Sequence, residues 1–282
     1  MYEISGFCQN RLLAGLPVAV QDRIFPQLEC VSLTSAKWLF KPSEAVSHVL
    51  FPIDSVVSML YPTMDGQETE TAVIGNEGMV GISLFMGGEV TNSRTVVQSS
   101  GSAWRMPGHI FKRELNHHRE LEYLLLRYSQ YLITQMSQTA VCNRFHSIYQ
   151  QLCRRLLMAV DRVSHNRLRM THQLIASNLG VRREGVTEAA CKLQRQGVIE
   201  YGRGIVNVLD RSQLEKLCCE CYSVVRKEED RLLSHKYHRA EFQSSTPERI
   251  GFTKDSSLKN KYAFKSPGSL STRGVTCLVK NT

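Results

Sequence analysis

Between Met170 and Asp210 the chain reads MTHQLIASNLGVRREGVTEAACKLQRQGVIEYGRGIVNVLD, and few folds accommodate that order of residues. Thr171 is suited to cap a helix, and Leu174, Ile175 and Leu179 then fall at helical spacing. Ala176 is small where a second helix must cross closely. Gly180 stands where the chain has to leave the first helix with positive φ. After a turn at Val181, the positions Val186, Ala189, Ala190 and Leu193 recur every three or four residues and define a second buried face. Its outward face carries Arg182, Arg183, Glu184, Thr187 and Glu188, side chains able to reach base edges and phosphates in a major groove. Gly197 ends the helix. Val198-Ile199 and Ile205–Leu209 then read as short strands around Gly202-Arg203-Gly204, the form of a wing. Two helices joined by a glycine occur in many folds that never touch nucleic acid. The small alanine, the turn glycine, the basic outer face and the hairpin together favour a reader of duplex DNA.

Charge follows the same division. Residues 1–145 carry 11 Lys/Arg against 13 Asp/Glu, residues 146–225 carry 12 against 7, and residues 226–282 carry 12 against 6. The net charge of +9 therefore lies in the helix-turn-helix half and the tail, where a polyanion would bind. From residue 240 onward the chain is rich in Ser, Thr, Lys and Gly without periodicity, and 234–282 is expected to be a disordered basic extension.

No apolar run approaches the roughly 20 residues of a membrane span, and the start lacks a signal-peptide pattern. A cytoplasmic protein with reduced thiols is expected. Of 9 cysteines, only Cys218, Cys219 and Cys221 cluster. No second Cys or His pair stands at a zinc-site spacing, so they read as core packing, with no metal or cofactor expected. His117, His118 and His146 come with no nucleophile elbow, phosphate-binding loop or suggestive acid pair, so catalysis is not expected.

The N-terminal half reads differently. Asn10–Leu16 and Val18–Leu28 look like a short helix pair. Beyond Val31, the runs His48–Phe51, Val56–Tyr61, Glu70–Ile74, Arg94–Gln98 and Ser102–Met106 alternate with turns, which predicts a small barrel or jelly roll. Between Gly75 and Gln98, glycines and a lone Arg94 offer a place for an anionic ligand. A long helix follows from about His117 to Cys142. Leu121, Leu125, Tyr128 and Leu132 on it have the spacing of a coiled-coil seam, which Met136 continues, although such a stripe also suits packing on the chain's own barrel. Ser147 and Gln150 have the form of a capping box, opening a helix Ile148–Val163 and making Asn143–His146 a candidate hinge.

The β-roll with its GNEGMVGISLF turn, the long helix, the CNRFHSIYQQLCRRLL junction and the winged helix-turn-helix together resemble the Crp/Fnr family of bacterial transcription regulators. The resemblance covers about Asn10 to Leu233. It implies an α+β chain: a cyclic-nucleotide-binding-like roll (1–116), a dimerisation helix and hinge (117–145), and a winged helix-turn-helix (146–233). It also implies a homodimer on two-fold-symmetric double-stranded DNA, working with RNA polymerase. In cyclic-AMP-binding members a Gly-Glu pair and an Arg-Ser or Arg-Thr pair hold the ribose and phosphate. Here Gly81 matches the Gly, but Ile82 replaces the Glu. The Arg position falls on Ser93, with Arg94 and Thr95 following, and a one-residue shift along a strand turns a side chain to the other face. The familiar use of cyclic AMP is therefore not expected. Only Cys8 and Cys30 lie near the N-terminus, too few for an iron–sulfur cluster.

In the recognition helix, Arg183 and Glu184 match the family's Arg-Glu, whereas Glu188 replaces its second Arg. Arg183 is expected to read guanine and Glu184 cytosine, with Arg182, Lys192 and Arg203 on phosphates and Thr171 at the helix start. The alternative reading makes the roll the active part: a sensor for a small anion or nucleotide that switches DNA binding on.

Overall fold

The computed structural model describes residues 9–163 and 165–233. The basic tail and Cys8 fall outside the described residues. Helix α1 (Arg11–Ala14) is capped by Asn10, whose Oδ1 accepts from the Leu13 amide at 3.1 Å. The Asn10 amide group donates to the carbonyls of Pro52 and Gly78 at 2.9 and 3.0 Å, which ties the start of the chain to the roll. Helix α2 (Val18–Ile24) is shorter than its apolar pattern predicts. Pro26 has no amide to continue the ladder, and a 3-10 turn over Phe25–Gln27 takes its place.

Seven strands follow: β1 (Glu29–Leu33), β2 (Trp38–Phe40), β3 (His48–Pro52), β4 (Val56–Pro62), β5 (Glu68–Ile74), β6 (Arg94–Ser99) and β7 (Gly101–Pro107). They form two antiparallel sheets, in the orders β1-β7-β3 and β2-β6-β4-β5. The five predicted runs correspond to β3–β7. β1 is a largely exposed edge and β2 has three residues, so neither shows the alternation that marks the others.

Helix α3 (Gly108–His117) precedes α4 (Arg119–Phe145), the two separated by extended backbone at His118. Helix α5 (Ile148–Val160) begins at the predicted capping box: Ser147 accepts from the Gln150 amide and Gln150 reaches back to Ser147. The C-terminal half, the expected reader, comprises β8 (Arg167–Arg169), α6 (His172–Leu179), α7 (Arg183–Arg195), β9 (Ile199–Gly202), β10 (Ile205–Val208), α8 (Arg211–Leu217) and α9 (Glu220–Leu233). α9 returns along α4.

The expected dimer seam lies inside the chain's own core. Leu121, Leu125, Tyr128 and Leu132 are at most 3% exposed, and Met136 is partly buried against the same core. The stripe is buried in the chain's own core, to which α4, β5 and α9 all contribute.

Roll and reader are locked through buried charge. On α5, the Arg155 Nη2 donates to Glu70 Oε2 at 2.7 Å while its Nε lies 2.7 Å from Oε1, the two side chains being 4% and 6% exposed. Asn178 of α6 donates to the same carboxylate at 3.2 Å. Beyond α5, Arg162 donates to Glu77 at 2.8 Å, to the Tyr131 hydroxyl at 2.9 Å and to the Met158 carbonyl at 2.6 Å. Burial pushes the Glu70 carboxyl up, and Arg155 pulls it back. Removing one partner strands a buried charge. Glu70→Ala should therefore cost about 3–5 kcal/mol in urea unfolding. A loss under about 1 kcal/mol, the range of an exposed pair, would mean that water reaches Arg155.

Candidate nucleic-acid interface

Helix α6 begins where the pattern places it, with Thr171 Oγ1 accepting from the Leu174 amide at 3.1 Å. It ends on Gly180, whose φ of +66° is the left-handed turn that glycine permits without strain. Ile175, Ala176 and Leu179 meet Val186, Ala189, Ala190 and Leu193 of α7 in the buried crossing. This leaves Arg182, Arg183, Glu184, Glu188 and Lys192 exposed on the outer side. Lys192 lies 4.6 Å from the Tyr149 ring centroid, so its amine is held against α5.

Thr187 takes a different role from the one its spacing suggests. Its hydroxyl donates to the Arg183 carbonyl at 3.0 Å and meets His172 Nδ1 at 3.0 Å. With the threonine proton committed to the carbonyl, Nδ1 must carry the imidazole proton and donate it. Thr187 is therefore a brace between α6 and α7. The His172 ring also stacks on Tyr201 of β9 at 4.0 Å.

The wing is a three-stranded sheet in the order β8-β10-β9. Its tip, Arg203-Gly204, joins paired residues Gly202 and Ile205, and both tip residues have positive φ, 51° and 77°. This is the twist-matched two-residue hairpin. Gly204 accepts from the Met170 amide at 2.9 Å, so the tip that carries exposed Arg203 is fastened beside Thr171. Sequence reasoning missed β8. There Arg167 and Arg169 are exposed on either side of buried Leu168, adding two cations to the wing sheet. The Arg-Leu-Arg alternation was the available signal. Arg195, exposed at the end of α7, was also missed.

The expected effector residues separate. Gly81, Ile82, Ser93 and Thr95 line a cavity of about 40 Å³ with no charged side chain on its wall. Ligand pockets run to roughly 300–1,000 Å³, so a nucleotide does not fit this one. Ser93 is satisfied by Thr91 at 2.8 Å. Arg94 is not in the cavity: it pairs with Glu68 and lies 4.8 Å over the Trp38 ring. A wider groove, about 550 Å³, runs between the β4–β5 hairpin and the reader, lined in part by Gln67, Glu68, Gln173, Ser177 and Arg182.

The C-terminal cysteines have neighbours that chain spacing conceals. Cys142 and His146 at the end of α4 meet Cys219 and Cys221 at the start of α9, their ligand atoms all within 4.8 Å of one another.

The chain joins two antiparallel sheets and a long helix to a winged helix-turn-helix, and residues 150–217 match the Crp-like helix-turn-helix domain family. The fold is similar to that of a Crp/Fnr-family transcriptional regulator from Eubacterium rectale, 18% identical, covering 73% of this chain and 96% of that one with a TM-score of 0.58. FixK2 from Bradyrhizobium japonicum is 14% identical, covers 68% and 98%, and has a TM-score of 0.57. The c-di-GMP-responsive global regulator CLP of Xanthomonas campestris is 14% identical, covers 69% and 100%, and has a TM-score of 0.53. Comparison with curated protein sequences gives no match. Among the described residues no helix is long and apolar enough to cross a membrane.

Burial, and then the charge of Arg183, hold the His172 imidazole below its ordinary 6.5. The unfolded chain then binds the proton more tightly. His172's contribution to stability is present above pH 6.5 and is lost as pH falls through the lowered folded pKa. An NMR titration of the His172 ring should give a midpoint below 6.5, and His172→Gln should remove that limb of the stability profile. A midpoint at or above 6.5 would contradict the neutral brace.

Proposed function

We propose that this chain is a sequence-specific transcription regulator that binds double-stranded DNA as a homodimer, without cyclic AMP. The observation that carries the reading is the exposed Arg182-Arg183-Glu184 start of α7, standing on a braced crossing beside an arginine-tipped wing. Arg183 donates twice to a guanine, and Glu184 accepts from a cytosine amino group. Arg182, Arg203, Arg167 and Arg169 meet phosphates, which set register and salt dependence. Glu188 repels phosphate or accepts from a second cytosine, so the operator departs from one read by a second arginine. RNA polymerase is the further partner that such a regulator addresses.

The dimer forms through the other face of α4. Leu126, Ile133 and Ala140 recur every seven residues and are all exposed, the first two at 54% and 57%, with Val141 alongside. A 27-residue helix with such a line suits a parallel two-helix seam. Pairing two readers gives access to two half-sites one duplex turn apart. The roll supports the fold rather than a nucleotide, since its cavity is small and uncharged.

Selection from a random duplex pool, with purified protein and no added ligand, should enrich a two-fold-symmetric site; no enrichment would contradict a constitutive reader. Arg183→Ala should then lose about 1–3 kcal/mol of discrimination at one base pair per half-site. A uniform loss on all sequences would make Arg183 a phosphate contact. Leu126→Glu combined with Ile133→Glu should give monomers by light scattering while the thermal transition is kept. Persistent dimers would move the interface off α4.

A further inference from the structure

We propose that Cys142, His146, Cys219 and Cys221 bind one zinc ion that clasps the end of α4 to the start of α9. The four side chains come from two segments more than seventy residues apart, yet they already stand at coordination spacing. The Cys142 and Cys219 sulfurs are 3.6 Å apart, and Cys221 Sγ is 3.6 Å from His146 Nδ1. Zn–S bonds of about 2.3 Å set the sulfurs of a tetrahedron about 3.8 Å apart, so an ion drawn to their centre requires little movement. All four ligand atoms within 4.8 Å leave room for one ion and not for a multi-iron cluster, which would hold its cysteines further apart. Three thiols and an imidazole are a soft, four-donor set that suits zinc.

A second observation points the same way. His146 turns Nδ1 to the cysteines, and its Nε2 lies 3.3 Å from a carboxylate oxygen of Glu220. A ligating histidine characteristically gives its other ring N–H to a carboxylate, which fixes the tautomer and raises the basicity of the ligating nitrogen. Gln151 holds the ligand-bearing turn from behind, donating to the His146 carbonyl at 2.9 Å. Binding releases the three thiol protons to solvent and leaves a site of net charge −1, with Arg154, itself 7% exposed, close enough to act electrostatically on Cys142 and Cys221. Cys142, Cys219 and Cys221 are free thiols, so the ligands are in the required state. Such a clasp bears on the junction between α4 and α5, because His146 is the last residue before the Ser147 cap of α5.

The test is elemental analysis of the full chain purified under reducing conditions. The expected content is one zinc per chain, lost in Cys142→Ser and in Cys219→Ser but kept in Cys30→Ser and Cys191→Ser, whose thiols are exposed elsewhere. Glu220→Gln should keep the ion but weaken its affinity about 10–100-fold in chelator competition. Because a ligand variant can fail to fold, the unaltered chain is also stripped with chelator and titrated with cobalt(II). Intense ligand-field bands of a tetrahedral thiolate site, bleached by added zinc, support the proposal. Absence of zinc together with absence of those bands would overturn it, as would bound iron in place of zinc or a Cys142–Cys219 disulfide in protein never exposed to oxidant.

Discussion

The ion pairs between Arg155 and Glu70 and between Arg162 and Glu77 decide how the two halves of this protein relate. In each pair the acid comes from the roll and the base from α5 or two residues beyond it. Charge in a low-dielectric interior tolerates few arrangements, because any displacement that separates the partners leaves both unsolvated. Glu70 and Asn178 also place α6, so the first helix of the reader inherits its position from a strand of the roll. Tyr131 extends the network. It accepts from Arg162 and Gln135, while Gln135 in turn accepts from the Val73 amide at 2.6 Å. The long helix, the roll and the reader thus meet in one polar cluster within the apolar core.

The winged helix-turn-helix was legible because its requirements are local. A cap, a positive-φ glycine and a 3.6-residue period are set by residues a few positions apart, and each is met as written. The long helix shows where such reasoning stops. Its sequence carries two stripes, one at four-three-four spacing through Leu121, Leu125, Tyr128 and Leu132 and one every seven residues through Leu126, Ile133 and Ala140. Periodicity says that both are faces and not which partner each face meets. The fold buries the first in its own core and leaves the second exposed. Arg94 was placed correctly on a strand, but a strand offers two faces, and Glu68 and Trp38 identify the face only in three dimensions. The cysteine–histidine cluster is the extreme case. Cys142 and Cys219 are separated by 77 positions, and no local spacing rule reaches that far.

The cavity of the roll makes a related point. Ile82 and Ser93, which the resemblance sets opposite the ribose and phosphate anchors of cyclic-AMP-binding proteins, line one apolar cavity. The cavity measures about 40 Å³. The sheets are held by their own apolar residues and need no ligand inside them to stand.

The charged seam between roll and reader also treats motion and mutation differently. A substitution that deletes Glu70 leaves Arg155 stranded in the interior. A hinge movement that parts the two surfaces returns both ions to water at once, and the hydration each recovers offsets the attraction it gives up. The same pair that punishes error is therefore close to neutral toward opening. Such a seam re-forms in one register only, since each carboxylate must find its own guanidinium. The closed position is unique, and leaving it means parting the apolar core that runs through both halves as well as the two ion pairs.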